Sequence, residues 1–329
     1  MLNPKPFPEI HNAGFQFCTP ASGGHMRYTI IEPEGETKGT FLIVPGRREC
    51  IEKKFFEMGD ELLARGYKLI FFEPRGQGGS SRFLAHDPKD EKYQRDYLPN
   101  ADAPINDLRG FYRDVVKPNQ KGPLYVFAHS MGALAVTRWL AEGQENGRPP
   151  DVKAAILSSP AYALSLKNSP DAKPYPSIVI YLAALAATLF GRGADYAPGF
   201  HDYDQRDKAF EKNELSQDYA RFKAIGDYFA ANEALKVGGV TWRWLLAAVV
   251  STWRLTPAHL KRIKTPILAL LGGADTVTPP DKILKRLRNI PNAETVVIPS
   301  AWHEVMNEAD GYRMRAWECI DRFLAPRAG

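Results

Sequence analysis

Short apolar runs alternate with longer amphipathic stretches along most of the 329-residue chain. The runs are continuous rather than alternating, as in strands that are buried on both faces of a parallel sheet. Gly and Pro clusters separate them from segments with the apolar spacing of helices. The pattern predicts strands at residues 26–32, 40–44, 68–72, 124–128, 154–157, 267–271 and 295–298, and helices at 51–65, 105–116, 132–142 and 308–323.

This alternation stops between residues 159 and 256, where helical patterns occur at 219–232 and 242–252 without a convincing strand. We therefore predict a mostly parallel central sheet with helices on both faces, formed by residues 1–158 and 257–329. Residues 159–256 are predicted to be a helical cap inserted between two strands. The apolar run 178–190 within it is shorter than the roughly 20 residues that cross a bilayer. It is either covered by protein core or in contact with an acyl chain or a membrane surface.

Composition is that of a globular protein, with 44% hydrophobic and 25% charged residues. The formal net charge of +5 is concentrated at residues 259–290, which form either a solvated helix face or a surface for anionic lipid or substrate. No aromatic-interleaved basic pattern indicates nucleic-acid binding. Three widely spaced cysteines and the absence of an apolar segment in residues 1–10 predict a cytoplasmic protein, in which peripheral contact with the inner membrane face stays open.

A candidate nucleophile lies where an apolar strand runs directly into a helix, in the stretch Ala128-His-Ser-Met-Gly132. Such a strand-to-helix turn exposes a serine hydroxyl at the top of a sheet, and it needs small residues two positions before and after the serine. Ala128 and Gly132 meet that need, in an A-x-S-x-G rather than a G-x-S-x-G pattern. We predict Ser130 as the nucleophile.

A serine nucleophile needs a base and an orienting carboxylate, which follow in the order acid, then histidine, in this architecture. Asp275 follows the predicted strand 267–271, and His303 follows the strand 295–298. Both positions lie at carboxyl ends of strands, where open α/β sheets place their sites. We predict a Ser130, Asp275 and His303 triad, and we expect the neighbouring His129 to pack or hydrogen-bond beneath the turn.

Acyl transfer also needs N–H donors for the developing oxyanion. The backbone N–H of Met131, directly after the nucleophile, is one predicted donor. The loop Pro45-Gly-Arg-Arg-Glu49 follows the strand 40–44, and the backbone N–H of Arg47 is the other. The side chains of Arg47 and Arg48 lie near the same opening, where they bind a phosphate or extend into solvent.

No histidine, cysteine or acidic spacing predicts a metal site. The stretch Gly76-Gln-Gly-Gly-Ser-Ser81 lacks the third glycine of a dinucleotide fingerprint and does not open a long helix. We therefore predict neither a metal nor a nucleotide cofactor.

Motifs over most of the chain resemble α/β-hydrolases of the monoacylglycerol lipase and lysophospholipase group, which is also filed with S33 serine aminopeptidases. They are Pro45-Gly-Arg-Arg-Glu49, Pro74-Arg-Gly-Gln-Gly-Gly-Ser80, Ala128-His-Ser-Met-Gly132, Leu157-Ser-Ser-Pro160, Gly273-Ala-Asp-Thr-Val277 and Trp302-His303. In the predicted cap, Asn213-Glu-Leu and Val237-Gly-Gly-Val-Thr-Trp-Arg-Trp244 are similar to bacterial lysophospholipases. Pro45 and Glu73-Pro74 depart from the commoner His and Asp-His of the group.

The resemblance implies an α/β-hydrolase fold and cofactor-free hydrolysis of lysophospholipid or monoacylglycerol esters. A carboxylesterase, thioesterase or aminopeptidase with the same triad is the alternative, and a peptidase would use a carboxylate such as Glu211, Glu214 or Glu233. A catalytically silent ligand-binding protein is a further alternative. Tyr162, Trp242, Trp244 and Trp253 are candidates to line an acyl site or simply to pack. The oligomeric state is not predicted.

Overall fold

The structure, a computed structural model, describes residues 14–163, 175–204 and 209–327. Residues 1–10, in which the sequence contains no apolar segment, lie outside these residues, as do positions 164–174 and 205–208 of the predicted cap. In the described part of the chain, eight strands form one sheet in the order β1-β2-β4-β3-β5-β6-β7-β8. They are β1 Gln16–Cys18, β2 Met26–Ile31, β3 Gly39–Val44, β4 Tyr67–Phe72, β5 Leu124–His129, β6 Ala154–Ser158, β7 Ile267–Gly272 and β8 Ala293–Ile298.

The sheet is mostly parallel, as predicted. Strand β2 pairs antiparallel with β1 and β4, while every pair from β4 across to β8 is parallel. The carboxyl ends of β3, β5, β7 and β8 therefore lie at one edge, which is where the chemistry-bearing loops were predicted.

Helices cover both faces of the sheet, because alternate residues of each strand point to opposite sides. Leu42 and Val44 of β3 belong to one buried apolar cluster, and Phe41 and Ile43 belong to another on the opposite face. The helices are α1 Ile51–Phe55, α2 Met58–Ala64, α3 Ala103–Phe111, α4 Lys117–Asn119, α5 Ser130–Glu142, α6 Ser177–Leu189, α7 Tyr219–Ala231, α8 Trp242–Trp253, α9 Pro257–Leu260, α10 Pro280–Leu287 and α11 Asp310–Leu324.

Three elements differ from the predicted pattern. The helix expected at 51–65 is interrupted between α1 and α2, where Glu57 has a φ of +56° and its carboxylate accepts a hydrogen bond from Arg221 Nη2 at 3.1 Å. The helix expected at 105–116 is α3 followed by a π-helical turn at Tyr112–Val116. Strand β1 was not predicted because it has only three residues at the sheet edge.

The described residues of the predicted cap contribute helices and no strand to the sheet. Helix α6 packs on α8 through Ile180 and Ala184, which share an apolar cluster with Trp244. Five apolar side chains on another side of α6 are exposed among the described residues: Ile178, Val179, Leu182, Leu189 and Phe190, the residue after the helix, are between 48% and 83% exposed. The boundaries 159 and 256 stay a prediction.

The basic stretch 259–290 includes helix α10, which buries Ile283 and Leu287 and exposes Lys285. This pattern is that of an amphipathic surface helix, and it fits a solvated face as well as a surface for anionic lipid or substrate. Arg286 is an exception, because its Nη1 donates to the Thr252 carbonyl at 2.6 Å.

Candidate active site

The predicted nucleophile lies at a tight turn between β5 and α5. Ser130 has a φ of +49°, a conformation that non-glycine residues rarely adopt and that often marks functional turns. A side chain at Gly132 would lie 2.3 Å from the Pro45 carbonyl oxygen, so only glycine lets α5 approach that loop. Helix α5 begins at Ser130, which places the positive end of its dipole beside the hydroxyl.

The structure brings the three predicted triad residues together from loops that are far apart in sequence. His303 Nε2 lies 3.1 Å from Ser130 Oγ, and His303 Nδ1 lies 2.8 Å from Asp275 Oδ2. All three residues are buried. The imidazole therefore bridges hydroxyl and carboxylate in the arrangement that a serine nucleophile needs.

Asp275 is held ionised and oriented by the turn that contains it. Its Oδ1 accepts hydrogen bonds from the backbone N–H groups of Val277 and Thr278 at 2.9 and 2.8 Å, and the Thr278 hydroxyl donates to Oδ2 at 2.7 Å. Burial opposes ionisation, but the bond to His303 and these donors outweigh it and hold the pKa of Asp275 below its usual value. An anionic carboxylate here selects the His303 tautomer with hydrogen on Nδ1.

The predicted oxyanion donors lie beside the nucleophile. Arg47 and Met131 line the same cavity as Ser130 and His303. The loop that carries Arg47 is tied down by Glu49, whose Oε2 accepts a hydrogen bond from the Gly46 N–H at 2.5 Å. The roles of the Arg47 and Met131 N–H groups stay a prediction that this placement supports.

The side chains of Arg47 and Arg48 make contacts that neither sequence interpretation anticipated. Arg47 Nε donates to Asp96 at 2.6 Å and its Nη2 donates to the Gly238 carbonyl at 2.7 Å. Arg48 Nε donates to the Val237 carbonyl at 2.8 Å. Both arginines thus connect the loop after β3 to the segment that precedes α8.

A cavity of about 310 Å³ opens above the triad. Ser130 and His303 line it, together with polar side chains that include Arg48, Lys53 and Asn307. The lining residues that come from the predicted cap are largely apolar. They include Phe200, Tyr203, Leu215, Phe222, Ile225, Phe229, Val237, Val240 and Trp244.

The predicted aromatic candidates divide into those inside and outside this cavity. Trp244 lines it, whereas Tyr162 and Trp242 are not among the described lining residues. Tyr162 is fully buried and its hydroxyl shares a hydrogen bond with Thr137 at 2.7 Å, so it packs in the core. Trp242 packs at the margin of the α6 and α8 cluster, and Trp253 donates to Ser177 Oγ at 3.2 Å.

Sequence reasoning missed the apolar face of α7 at Phe222, Ile225 and Phe229. Their spacing of three and then four residues is the helical signal that would have identified one face. The helix was predicted, but its lining face was not assigned.

A cluster of buried charges beneath the site was also missed. Lys53 forms ion pairs with Glu304 and with Glu49, and Lys54 pairs with Glu49 at 2.7 Å. Burial opposes the charge of Glu304, but Lys53 outweighs it and lowers the pKa of Glu304 to about 2. His129 Nδ1 lies 3.2 Å from the Glu49 carboxylate, as expected for a histidine beneath the turn. Burial, together with Lys54, lowers the pKa of His129.

One group of potential metal ligands exists among the described residues, at Cys50, Glu52 and Glu73. Arg27 donates to both carboxylates, at 2.8–2.9 Å to Glu52 and 2.6–2.8 Å to Glu73. The guanidinium thus supplies the positive charge between them, and the group does not line the cavity.

The sequence matches the family described as serine aminopeptidase, S33, over residues 35–310. The chain belongs to this family. Among its relatives in the S33 family, the probable lysophospholipase L2 of Haemophilus influenzae is 28% identical over 295 residues, or 90% of this chain and 86% of the relative. Lysophospholipase L2 of Escherichia coli K12 is 27% identical over 300 residues, or 86% of this chain and 79% of the relative.

Solved structures establish the fold of this S33-family protein. A soluble variant of monoglyceride lipase from Saccharomyces cerevisiae has a TM-score of 0.70 at 18% identity and 96% coverage of both chains. Monoacylglycerol lipase of Paleococcus ferrophilus has a TM-score of 0.64 at 18% identity, and the match covers 91% of this chain and 99% of that one. The predicted α/β-hydrolase fold is confirmed.

Among the described residues of this S33-family protein, no helix is both long enough and apolar enough to cross a membrane.

Proposed function

We propose that this hydrolase cleaves the carboxylic esters of lysophospholipids or monoacylglycerols through an acyl-enzyme on Ser130. The observation that carries the proposal is the His303 imidazole, 3.1 Å from Ser130 Oγ and 2.8 Å from Asp275, beneath a cavity with an apolar wall. The curated relatives named lysophospholipase support this substrate class.

In the first half of the reaction, Ser130 Oγ attacks the acyl carbonyl carbon while His303 Nε2 accepts the hydroxyl proton. Asp275 accepts the Nδ1–H bond and stabilises the imidazolium that forms. The N–H groups of Arg47 and Met131 stabilise the oxyanion. His303 then returns the proton to the departing alkoxide oxygen, and the acyl group remains on Oγ.

In the second half, a water molecule attacks the acyl carbon and gives its proton to His303. Collapse of the tetrahedral intermediate releases the fatty acid, and His303 returns the proton to Ser130 Oγ. Both halves use the same imidazole, so one base serves acylation and deacylation.

The cavity lining combines apolar and polar groups, which suits an amphiphilic ester. Phe222, Ile225 and Phe229 of α7 offer apolar surface for the acyl chain. Arg48, Lys53 and Asn307 add polar groups for a glycerol-based headgroup. This combination supports a substrate with one apolar and one polar part.

The test is turnover of lysophosphatidylcholine, monoacylglycerol, a short p-nitrophenyl ester and an aminoacyl amide by the wild type and by Ser130→Ala. We expect hydrolysis of the first two and at least a 10³-fold loss in the variant. Ser158→Ala is the matched control, because Ser158 is buried on the neighbouring strand and its hydroxyl has no hydrogen-bond partner among the described residues. Retained turnover in Ser130→Ala contradicts the mechanism.

The amide in this panel addresses the aminopeptidase alternative. A peptidase needs a carboxylate for the substrate ammonium group, yet Glu304, a carboxylate on the described cavity wall, already pairs with Lys53 and Asn307. Glu211, Glu214 and Glu233 are not among the lining residues. Preferential turnover of the amide favours the peptidase. A silent binding protein would fail to label at Ser130 with a fluorophosphonate.

The exposed apolar side chains of α6 support peripheral contact with a lipid surface, where such substrates reside. Contiguous exposed apolar patches on a protein surface usually mark interaction sites. Leu182 and Phe190 are 56% and 83% exposed, on a helix that packs against α8, whose Trp244 lines the cavity.

Co-sedimentation with neutral and anionic phospholipid vesicles tests this contact. We expect Leu182→Asp with Phe190→Asp to weaken vesicle binding about tenfold or more, without changing hydrolysis of a short soluble ester. Met314→Asp is the control, because Met314 is also exposed, at 62%, but lies on α11. Equal binding by both variants contradicts the contact, and a preference for anionic vesicles identifies an electrostatic contribution.

A further inference from the structure

Asp96 is a fully buried carboxylate that the hydrolytic mechanism does not use. It lies in the loop between β4 and α3. Its Oδ2 accepts a hydrogen bond from Arg47 Nε at 2.6 Å, and its Oδ1 accepts one from Gln77 Nε2 at 3.2 Å. A buried charge is retained at a cost in desolvation, so its partners indicate what it holds in place.

The first partner is the side chain of a predicted oxyanion donor. Besides its bond to Asp96, the Arg47 guanidinium donates to the Gly238 carbonyl at 2.7 Å and lies 5.5 Å from the ring centre of Trp244. The side chain is therefore fixed at three points. Because the backbone N–H belongs to the same residue, fixing the Arg47 side chain also restricts the direction of that N–H.

The second partner acts on the next residue of the loop. Gln77 donates through Nε2 to Asp96, which leaves its Oε1 to accept the Arg48 N–H at 2.6 Å. Arg48 has a φ of +59°, a strained conformation that surrounding contacts must maintain. Asp96 thus orients the amide that holds the peptide following Arg47.

The backbone of Asp96 pairs with the wall of the cavity. Its N–H donates to the Gly239 carbonyl at 3.1 Å, and its carbonyl accepts from the Thr241 N–H at 3.0 Å and hydroxyl at 2.9 Å. This segment leads directly into α8 and Trp244. Asp96 therefore joins the loop at residues 45–49, the oxyanion loop, to the surface against which an acyl chain would lie.

We propose that Asp96 is a positioning residue that aims the Arg47 N–H at the oxyanion and couples it to the acyl-binding wall. This rests on the proposed function only in requiring an acyl substrate at Ser130. An oxyanion donor contributes fully only when it is held within about 0.5 Å of its productive position. A substrate that packs against Val240 and Trp244 restricts the motion of the segment with which the Arg47 side chain makes its contacts. Long acyl chains therefore assist catalysis as well as binding.

The main test is Asp96→Asn, assayed with p-nitrophenyl esters of short and long acyl chains. Both partners of the carboxylate are donors, so an amide can accept from only one of them with its single oxygen. We expect kcat to fall roughly 10- to 100-fold, less than the roughly 10²- to 10³-fold cost of removing an oxyanion donor outright, because the donor is misaimed rather than lost. We also expect KM to change little and the rate advantage of long chains over short ones to shrink.

A transition-state analogue separates positioning from general damage. An alkyl trifluoromethyl ketone adds to Ser130 and places an oxyanion in the hole, whereas the product fatty acid does not. We expect Asp96→Asn to weaken the ketone by the same factor as kcat/KM and to leave fatty-acid affinity within about threefold. Equal weakening of both ligands, or an unchanged kcat, overturns the proposal.

Two further variants keep the result interpretable. Asp107→Asn is the matched control, because Asp107 is a buried carboxylate that pairs with Arg75 at 2.6 Å and does not line the main cavity. It should lose thermal stability without the ketone-specific effect. If Asp96→Asn does not fold, Gln77→Met removes the acceptor for the Arg48 N–H. This variant should show a smaller fall in kcat and the same selective loss of affinity for the ketone.

The choice of ester distinguishes this proposal from the substrate assignment. The p-nitrophenyl esters carry no glycerol headgroup, so they report on the oxyanion loop even when lysophospholipids and monoacylglycerols are not turned over. Failure of the wild type on the lipids alone contradicts the proposed substrate class. Ser130-independent hydrolysis of every ester overturns both proposals.

Discussion

The turn at residues 128–132, which contains Ser130, lies against the loop at residues 45–49, which carries the proposed donor Arg47. The two regions are held by different forces. The turn depends on backbone shape, with Ser130 at a φ of +49° and Gly132 packed against the carbonyl of Pro45. The loop depends on buried charge, with Glu49 bonded to the Gly46 N–H and Asp96 bonded to Arg47.

This difference predicts two kinds of response to change. Steric contact between backbone atoms cannot relax by small side-chain movements, so a single added carbon disrupts the turn. A charge network loosens in steps and depends on pH, because each ion can be neutralised separately. The first kind of variant should cause the larger loss of activity, and the second a smaller, graded loss.

The largest effect is expected from Gly132→Ala. The new Cβ would lie 2.3 Å from the Pro45 oxygen and 2.7 Å from the Val44 oxygen, so both sides of the site must move apart. We expect kcat/KM to fall about 10²- to 10³-fold, with a loss of about 1–3 kcal/mol in the free energy of unfolding. Steady-state kinetics and urea unfolding measure the two effects.

Gly311→Ala is the control for this variant, because Gly311 lies in helix α11 and a Cβ there meets nothing within 4 Å. It should keep full activity and gain slightly in stability, since alanine favours helix. Wild-type kinetics in Gly132→Ala would show that backbone contact does not hold the turn against the loop.

An intermediate effect is expected from Glu49→Gln, which keeps a hydrogen-bond acceptor for Gly46 but removes the charge between Lys53, Lys54 and His129. Because the loop loosens without losing its donor groups, we expect a fall in kcat of about tenfold. Rapid-quench measurements should show slower acylation and slower deacylation, because both steps pass through an oxyanion.

Glu61→Gln serves as the comparison variant for Glu49→Gln, since Glu61 pairs with Arg313 on α11 rather than with the active-site loop. A loss of kcat that is equal in both variants would assign the Glu49 effect to general stability instead of the loop.

The same division explains which parts of the molecule the sequence predicts. Ser130, Asp275 and His303 each follow an apolar strand, so local pattern and order along the chain sufficed to propose them, and the structure brings them within hydrogen-bonding distance. The mostly parallel sheet also follows from the sequence, because continuous apolar runs are typical of strands buried on both faces of a parallel sheet.

The charge network was not predictable in this way. Lys53 and Glu304 are 251 positions apart. Lysine and glutamate are usually exposed, so nothing in the sequence marks these two as a buried pair. Tyr162 shows a choice that the sequence left open: this residue of the predicted cap was a candidate to line an acyl site or to pack, and it packs in the core, where its hydroxyl is hydrogen-bonded to Thr137. The break at Glu57 likewise depends on a distant partner, Arg221.

The smallest effect on kcat at neutral pH is expected from Glu304→Gln, which tests through protein stability whether charge anchors the loop side of the site. Burial raises the cost of ionising Glu304, but the positive charge of Lys53 prevails and lowers the pKa of Glu304 from 4.5 to about 2. A carboxyl group with a depressed pKa in the folded state stabilises the protein above its unfolded pKa. That contribution is lost as the pH falls from 4.5 towards 2.

Between pH 6 and pH 3.5, the wild type should therefore lose roughly 1 kcal/mol of unfolding free energy that Glu304→Gln does not lose. Urea unfolding at the two pH values measures this difference, and Glu318→Gln, an exposed glutamate on α11, controls for general acid effects. Identical pH slopes in wild type and Glu304→Gln would mean that Lys53 does not hold the carboxylate ionised. In that case the loop is kept in place by hydrogen bonds and packing, as the turn is, and the contrast between the two regions disappears.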